Sequence, residues 1–203
     1  MRVIELTRNP TQYSCRSYLL LGEFNQFDAV NTVIDPGTDD YVIREIESVA
    51  TGCGKVPVEQ VLLTHNHFDH AASADLFRQR YGARVYAWVE GPGVDVLLRD
   101  GQVLRAADDY LEVLHMPGGH SSDSVAFYCQ SQALLFSGDT PLCIRSHDGN
   151  YTRDYVDSLL KLTQRRIDVV YPGHDDPLKN DVHGMILDTL RNVRTAPQFH
   201  RRR

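Results

Sequence analysis

The chain has 203 residues, 42% hydrophobic and 24% charged, with a net charge of −6 at pH 7. Those proportions fit one globular domain over 1–203 with a real core. The acidic balance excludes a broad nucleic-acid face, because the only basic run is the terminal RRR at 201–203, read as a solvated tail.

No segment reaches the length and apolarity of a membrane span, and the opening MRVIELTRNP holds no apolar signal core, so a cytoplasmic location is expected. Cys15, Cys53, Cys129 and Cys143 form no C-x-x-C pair, which argues against an all-cysteine zinc site and fits free thiols. In chain order, SYLLL and VNTVID have strand character, and the DPG after the second is turn chemistry. From Asp39, the spacing of Val42, Ile43, Ile46, Val49 and Ala50 predicts a helix, with Gly52 as its stop. VLLT reads as a short buried strand, AASADLFRQRYG as a helix ending at Gly82, and ARVYAW as the next strand. RDGQVL, YLEVLHM, SVAFYC and ALLFSGD alternate around turns as mostly antiparallel strands. A helix at DYVDSLLKLTQ, a strand at IDVVY and a last helix over Val182, Met185, Ile186, Leu190 and Val193 complete the chain. Strands in the middle and helices towards the ends suggest stacked sheets with helices outside.

Four apolar runs end in a metal-ligand side chain: VLLTH, LEVLHMPGGH, ALLFSGD and DVVYPGH. Three carry a glycine just before the ligand, which lets the backbone turn tightly and approach an ion closely. Within HNHFDH, side-chain alternation in an extended loop points His65 and His67 the same way. Asp69 and His70, a turn into the next helix, face a neighbouring point. Two such points suit two divalent ions, with His120 completing the first and His174 the second. Asp139 has two oxygens and can reach both. Imidazole and carboxylate suit zinc, with iron or manganese as alternatives. His115, His147, His183 and His200 stand in no ligand-like context and are read as ordinary histidines. Three close imidazoles at 65–70 would instead repel when protonated, a problem that a metal removes.

HNHFDH, PGGH, SGD and PGH, in that order between IDPG and YPGHDD, resemble the metallo-β-lactamase-fold hydrolase superfamily. The resemblance implies an α/β fold, a four-layer αββα sandwich with metals at one edge between the sheets. It implies that His65, His67 and His120 hold one ion, that Asp69, His70 and His174 hold the other, and that Asp139 bridges them. Asp35 of IDPG resembles a family aspartate near the metal loop, though it reads equally well as a turn residue.

Asp139 stands where true β-lactamases usually have cysteine or another residue, and instead resembles the bridging aspartate of glyoxalase II (hydroxyacylglutathione hydrolase), small lactonases, phosphodiesterases and RNA-processing nucleases. In length and motif order the chain looks nearest to compact glyoxalase II-like thioesterases. Two departures set glutathione recognition in question. DTPLCIRSHDGNY replaces a GCGR-like stretch, and only 29 residues follow His174, where that family has a helical glutathione-binding region.

The expected activity is metal-dependent hydrolysis of a small thioester, ester or lactone. Two ions lower the pKa of a shared water to yield a bridging hydroxide, and Asp69 manages the proton. Tyr151, Arg145 and Arg153 are read as loop residues. The first alternative is a persulfide dioxygenase-like enzyme with one iron on His65, His120 and Asp139. The second is a non-catalytic ligand-binding protein of the same fold. No nucleic-acid or membrane partner is expected, and the sequence is silent on oligomeric state.

Overall fold

The structure is a computed structural model that describes residues 1–23 and 28–197; His200 and the 201–203 tail lie outside the described residues. Its first sheet runs in the order β1 (Arg2–Glu5), β2 (Tyr18–Leu21), β3 (Thr32–Ile34), β4 (Gln60–Leu62), β5 (Arg84–Ala87) and β6 (Val96–Leu97). The second runs β11 (Val169–Pro172), β10 (Leu134–Gly138), β9 (Val125–Cys129), β8 (Asp109–His115) and β7 (Val103–Ala106).

Period-two alternation builds the layers. Tyr18 and Leu20 of β2, Leu62 of β4, Val125 and Phe127 of β9 and Phe136 of β10 face a core shared by both sheets. The intervening Leu19, Leu21, Val33 and Val61 face outward onto α1 (Tyr41–Ser48) and α3 (Ala74–Tyr81), through Ile43, Ile46 and Phe77. On the other side, Ala126, Tyr128 and Leu135 meet α4 (Arg153–Thr163) and α5 (Val182–Arg194) through Leu159, Leu162, Ile186 and Val193. The result is helix, sheet, sheet, helix. Phe136 is fully buried between the sheets, where truncation to alanine would cost about 3–5 kcal/mol.

The middle strands pair antiparallel from β7 to β10, as the turn spacing implies. Four differences from the sequence reading have local causes. The helix predicted over AASADLFRQRYG starts later, as α3 at Ala74, and is preceded by the one-turn helix α2 (Phe68–Ala71); the two are separated at Ala72–Ser73, where the Ser73 hydroxyl donates to the Pro36 and Gly37 carbonyls. Helix α1 ends at Ser48, before Gly52, because Val49 turns extended. Strand β1 at the N-terminus and the two-residue β6 are short edge strands with little pattern to read. Helix α3 does end at Gly82, whose φ of +68° is the left-handed cap glycine permits.

All four cysteines are free; Cys15 and Cys129 are buried, whereas Cys53 and Cys143 are exposed. Burial pushes the Cys15 thiol up to about 11, which leaves almost no reactive thiolate at neutral pH. An alkylating reagent should therefore label Cys53 and Cys143 in the native protein and all four in denaturant, read by intact mass. Rapid labelling of Cys15 without denaturant would contradict this packing.

Candidate metal centre

Strands β8, β10 and β11 run the same way, since β9 is antiparallel to both neighbours and β11 is parallel to β10. Their C-terminal ends therefore share one edge. The two sheets are tied together there, because the Val125 amide donates to the Thr64 carbonyl at 2.7 Å and the Tyr18 hydroxyl donates to the Pro172 carbonyl at 2.6 Å. The segments after β4, β8, β10 and β11 deliver His65 to His70, His120, Asp139 and His174 into one cluster.

His65, His67 and His120 bring a ring nitrogen each within 4.8 Å of one another, and so do the ligand atoms of Asp69, His70 and His174. The His67 and His120 nitrogens approach to 2.9 Å, and the His174 Nε2 lies 3.1 Å from Asp69 Oδ2. Asp139 sits between the two groups, 3.2 Å from His70 Nε2, 3.4 Å from His174 Nε2, 3.6 Å from His120 Nε2 and 3.9 Å from His65 Nε2. His65, Asp69 and His70 are buried, while His67 and His120 are exposed, so the cluster opens to solvent on their side.

Tight turns make this convergence possible. A Cβ on Gly173 would collide with Asp139 Oδ1 and lie 2.7 Å from His70 Cε1, so only glycine lets the His174 loop pass the cluster. Gly138 has φ +52°, and its Cβ would strike Thr64.

A layer of hydrogen bonds fixes the rings behind the cluster. Asp35, buried and at φ +51°, accepts from the Thr64 amide at 2.8 Å and the Thr64 hydroxyl at 2.6 Å, and pairs with His70 Nδ1 at 2.9 Å. The Thr64 oxygen is also 3.1 Å from His65 Nδ1. With Nδ1 of both rings engaged, each Nε2 faces inward. His65 Nε2, His70 Nε2, His174 Nε2 and Asp139 Oδ1 are buried without a hydrogen-bond partner. Four inward-facing lone-pair atoms left unsatisfied would be costly in a site built for nothing. They suit a divalent cation.

The charges agree. Burial, with His70 beside it, lowers His65 to about 4. Burial opposes charging of His70, yet Asp35 and Asp139 outweigh it and push that ring up. Asp139 itself is held far below the usual carboxylate range by His174 and His70, against its burial, and it raises His174 in turn. The His70–His174 side of the cluster thus favours positive charge, which protons or metal ions can supply.

Asp35 emerges as a positioning residue instead of a simple turn residue, and Thr64 was missed, because strand character in VLLT hides its hydroxyl. Asp123 was missed as well. It accepts from the Asn66 amide at 2.8 Å and from the Ser121 hydroxyl at 2.6 Å, joining the His65–His67 loop to the segment after His120. The other described histidines stay outside the cluster. His115 stacks on Trp88 with ring centroids 3.8 Å apart, and its Nε2 is 2.9 Å from the Ser122 carbonyl. His147 lies 3.6 Å from Asp148, and His183 is exposed on α5.

The hydroxyacylglutathione hydrolase of Francisella tularensis subsp. novicida is 31% identical over 73% of this chain and 60% of its own length. The chain spans 58–68% of the length of the first curated relatives it matches. Among solved structures, ETHE1 from Myxococcus xanthus superposes with TM-score 0.67 and 25% identity over 95% of this chain and 91% of its own. TTHA1623 in a di-iron-bound form gives TM-score 0.65 and 25% identity over 90% and 97%. The family model of the metallo-beta-lactamase superfamily matches residues 14–94 and 90–174, which take in every residue of the cluster. A superfamily whose fold implies divalent metals and a cluster with inward, unsatisfied donors point the same way: this chain belongs to the metallo-beta-lactamase superfamily.

Proposed function

We propose that the chain is a dinuclear metal-dependent hydrolase acting on a small thioester, ester or lactone. The observation that carries the reading is the pair of three-residue ligand groups with Asp139 between them, their ring nitrogens turned inward by Asp35 and Thr64. His65, His67 and His120 would hold one ion, Asp69, His70 and His174 the second, and Asp139 would contact both; zinc fits this set, as do iron and manganese. Ions bound there supply Lewis acidity and an activated water at neutral pH. The chain's own contribution is to hold seven ligands rigidly, to keep the centre open beside His67 and His120, and to place Asp69, 3.1 Å from His174, where a carboxylate can hold a proton. Similarity to hydroxyacylglutathione hydrolases supports thioesters as the first substrates to try.

Saturation with zinc, manganese or iron should reach two ions per chain by elemental analysis, with thioester hydrolysis appearing alongside. A plateau at one ion with every metal would refute the dinuclear site. Simple thioesters should react as well as glutathione thioesters, because among the described residues no Lys or Arg lines the cavity bordered by His120, Asp139 and His174. A strong preference for the intact glutathione moiety would refute that point.

A second reading has its own support: His65, His120 and Asp139 share one carboxylate oxygen, with Nε2 to Oδ2 distances of 3.9 Å and 3.6 Å, an arrangement open to a single iron. A persulfide dioxygenase of this kind would contain one iron and consume oxygen with a persulfide. Hydrolysis without oxygen uptake would dismiss it.

A further inference from the structure

Two aromatic side chains stand beside the cluster and are not among its seven ligand residues. Tyr13 is 66% exposed and Phe68 62% exposed. Single exposed aromatics are ordinary, but these two are adjacent and lie against the centre. The Tyr13 ring stacks on the His174 ring at 5.2 Å and 19°, and its centroid is 6.3 Å from that of Phe68. Phe68 opens α2 directly between His67 and Asp69.

The segment carrying Tyr13 is fastened to the loops that bear the cluster. The Cys15 amide donates to the Asp69 carbonyl at 3.0 Å, and the Arg16 amide to the Gly173 carbonyl at 2.6 Å. The Thr38 hydroxyl donates to the Tyr13 carbonyl at 2.7 Å, and the Thr38 amide to the Ser14 hydroxyl at 3.1 Å. Tyr13 is thus held out to water by a backbone fixed on both sides, without being buried itself.

Beyond Phe68 the apolar surface continues. A trough of about 260 Å³ is walled by Leu63, Phe68, Ala71, Ala72, Pro92 and Val94, with Asn66 and Asp75 as its polar side chains. Among the described residues, no Lys or Arg lines it. Of the cations beside the His174 loop, Arg16 is paired with Glu5 and Asp176, and Arg8 donates to the His174 carbonyl. The apolar surface thus runs from the cluster over two aromatic side chains into a trough whose one charged wall residue is the acidic Asp75.

We propose that Tyr13, Phe68 and this trough form the acyl-group subsite, selecting a neutral aromatic acyl group over a small or charged one. The inference rests on the hydrolase reading for its chemistry, and on the geometry alone for its location. A flat ring laid over Tyr13 and Phe68 gains both apolar burial and offset stacking, whereas an acetyl group has no ring to stack and little apolar area to bury.

The test uses the metal-loaded protein and two thioesters of N-acetylcysteamine, phenylacetyl and acetyl. The wild type should favour phenylacetyl by about tenfold or more in kcat/KM, the factor expected from covering one aromatic face. Tyr13→Ala and Phe68→Ala should each bring that ratio close to ~1, Tyr13→Phe should keep it, and elemental analysis should find the metals still bound in all three. A ratio near unity in the wild type, or one unmoved by Tyr13→Ala, overturns the subsite. If the wild type hydrolyses neither thioester nor the matching esters and lactones, the hydrolase reading falls, and calorimetric binding of phenylacetate against acetate decides the subsite separately. Tighter phenylacetate binding that Tyr13→Ala abolishes upholds it, and equal binding overturns it.

Discussion

Asp139→Asn should lower thioester hydrolysis by about 10²–10³-fold, the order expected when one preorganised electrostatic group is removed, and release at least one of two ions while the fold survives. Asp139 is the single carboxylate whose oxygens lie between 3.2 and 3.9 Å from four imidazoles. An amide fills the same volume but offers one neutral oxygen, and turns N–H donors towards ring nitrogens that need to stay free. Two cations at close range would lose the anion that screens them from each other. The side chain leaves β10 after its last ladder residue, Gly138, so the sheet register does not depend on it. His115→Ala is the control. Loss of the Trp88 stack and the contact to the Ser122 carbonyl should lower stability by about 1–2 kcal/mol and leave the ions in place. If Asp139→Asn kept both ions and near-normal turnover while His115→Ala lost one, the assignment of the centre would be wrong. Loss of a single iron together with oxygen-dependent activity would favour the dioxygenase reading.

The cluster was legible because its chemistry is written in neighbouring residues and its scaffold in short apolar runs that end at turns. HNHFDH places four donors on one loop and the first turn of α2, and three glycines precede ligands that could converge in no other way than by close backbone approach. The order of short strands and helices implied stacked sheets with helices outside, and the αββα order came with the family resemblance. Strand β2 is apolar at every position, so the split of Tyr18 and Leu20 from Leu19 and Leu21 between two cores shows only in the structure. What could not be read depends on contacts between segments far apart in the chain. Thr64 looks like a strand residue until Asp35 is seen to accept two of its donors, and Asp123 is an ordinary loop aspartate until the Asn66 amide is found on it. Tyr13 carries no signal at all in sequence, because its significance lies in which ring it stacks on. Edge strands β1 and β6 escaped for a different reason: four and two residues give too little alternation to register.

Asp35→Asn should weaken metal binding on the His70 side by about 10–100-fold, the usual effect of removing a partner behind a ligating histidine. Asp35 Oδ2 lies 2.9 Å from His70 Nδ1, and its ionised form can only accept, so the ring must carry its proton on Nδ1. That leaves the Nε2 lone pair directed at the cluster. In the asparagine variant, an oxygen kept at the Oδ1 position still accepts the Thr64 amide, which puts the NH2 group where Oδ2 was. The amide then donates towards His70 Nδ1 and forces the proton onto Nε2, where it blocks the ligand atom. Size and most of the hydrogen bonds are retained, so thermal unfolding should shift little while the metal affinity falls. The effect should also be uneven. His65 is reached through Thr64 and not by Asp35 itself, so the group of His65, His67 and His120 should keep its ion more firmly than the group of Asp69, His70 and His174. Elemental analysis at limiting metal, with nuclear magnetic resonance of the histidine ring protons to read the His70 tautomer, checks both halves. Unchanged affinity with the proton still on Nδ1 would show that Asp35 does not set the orientation of His70.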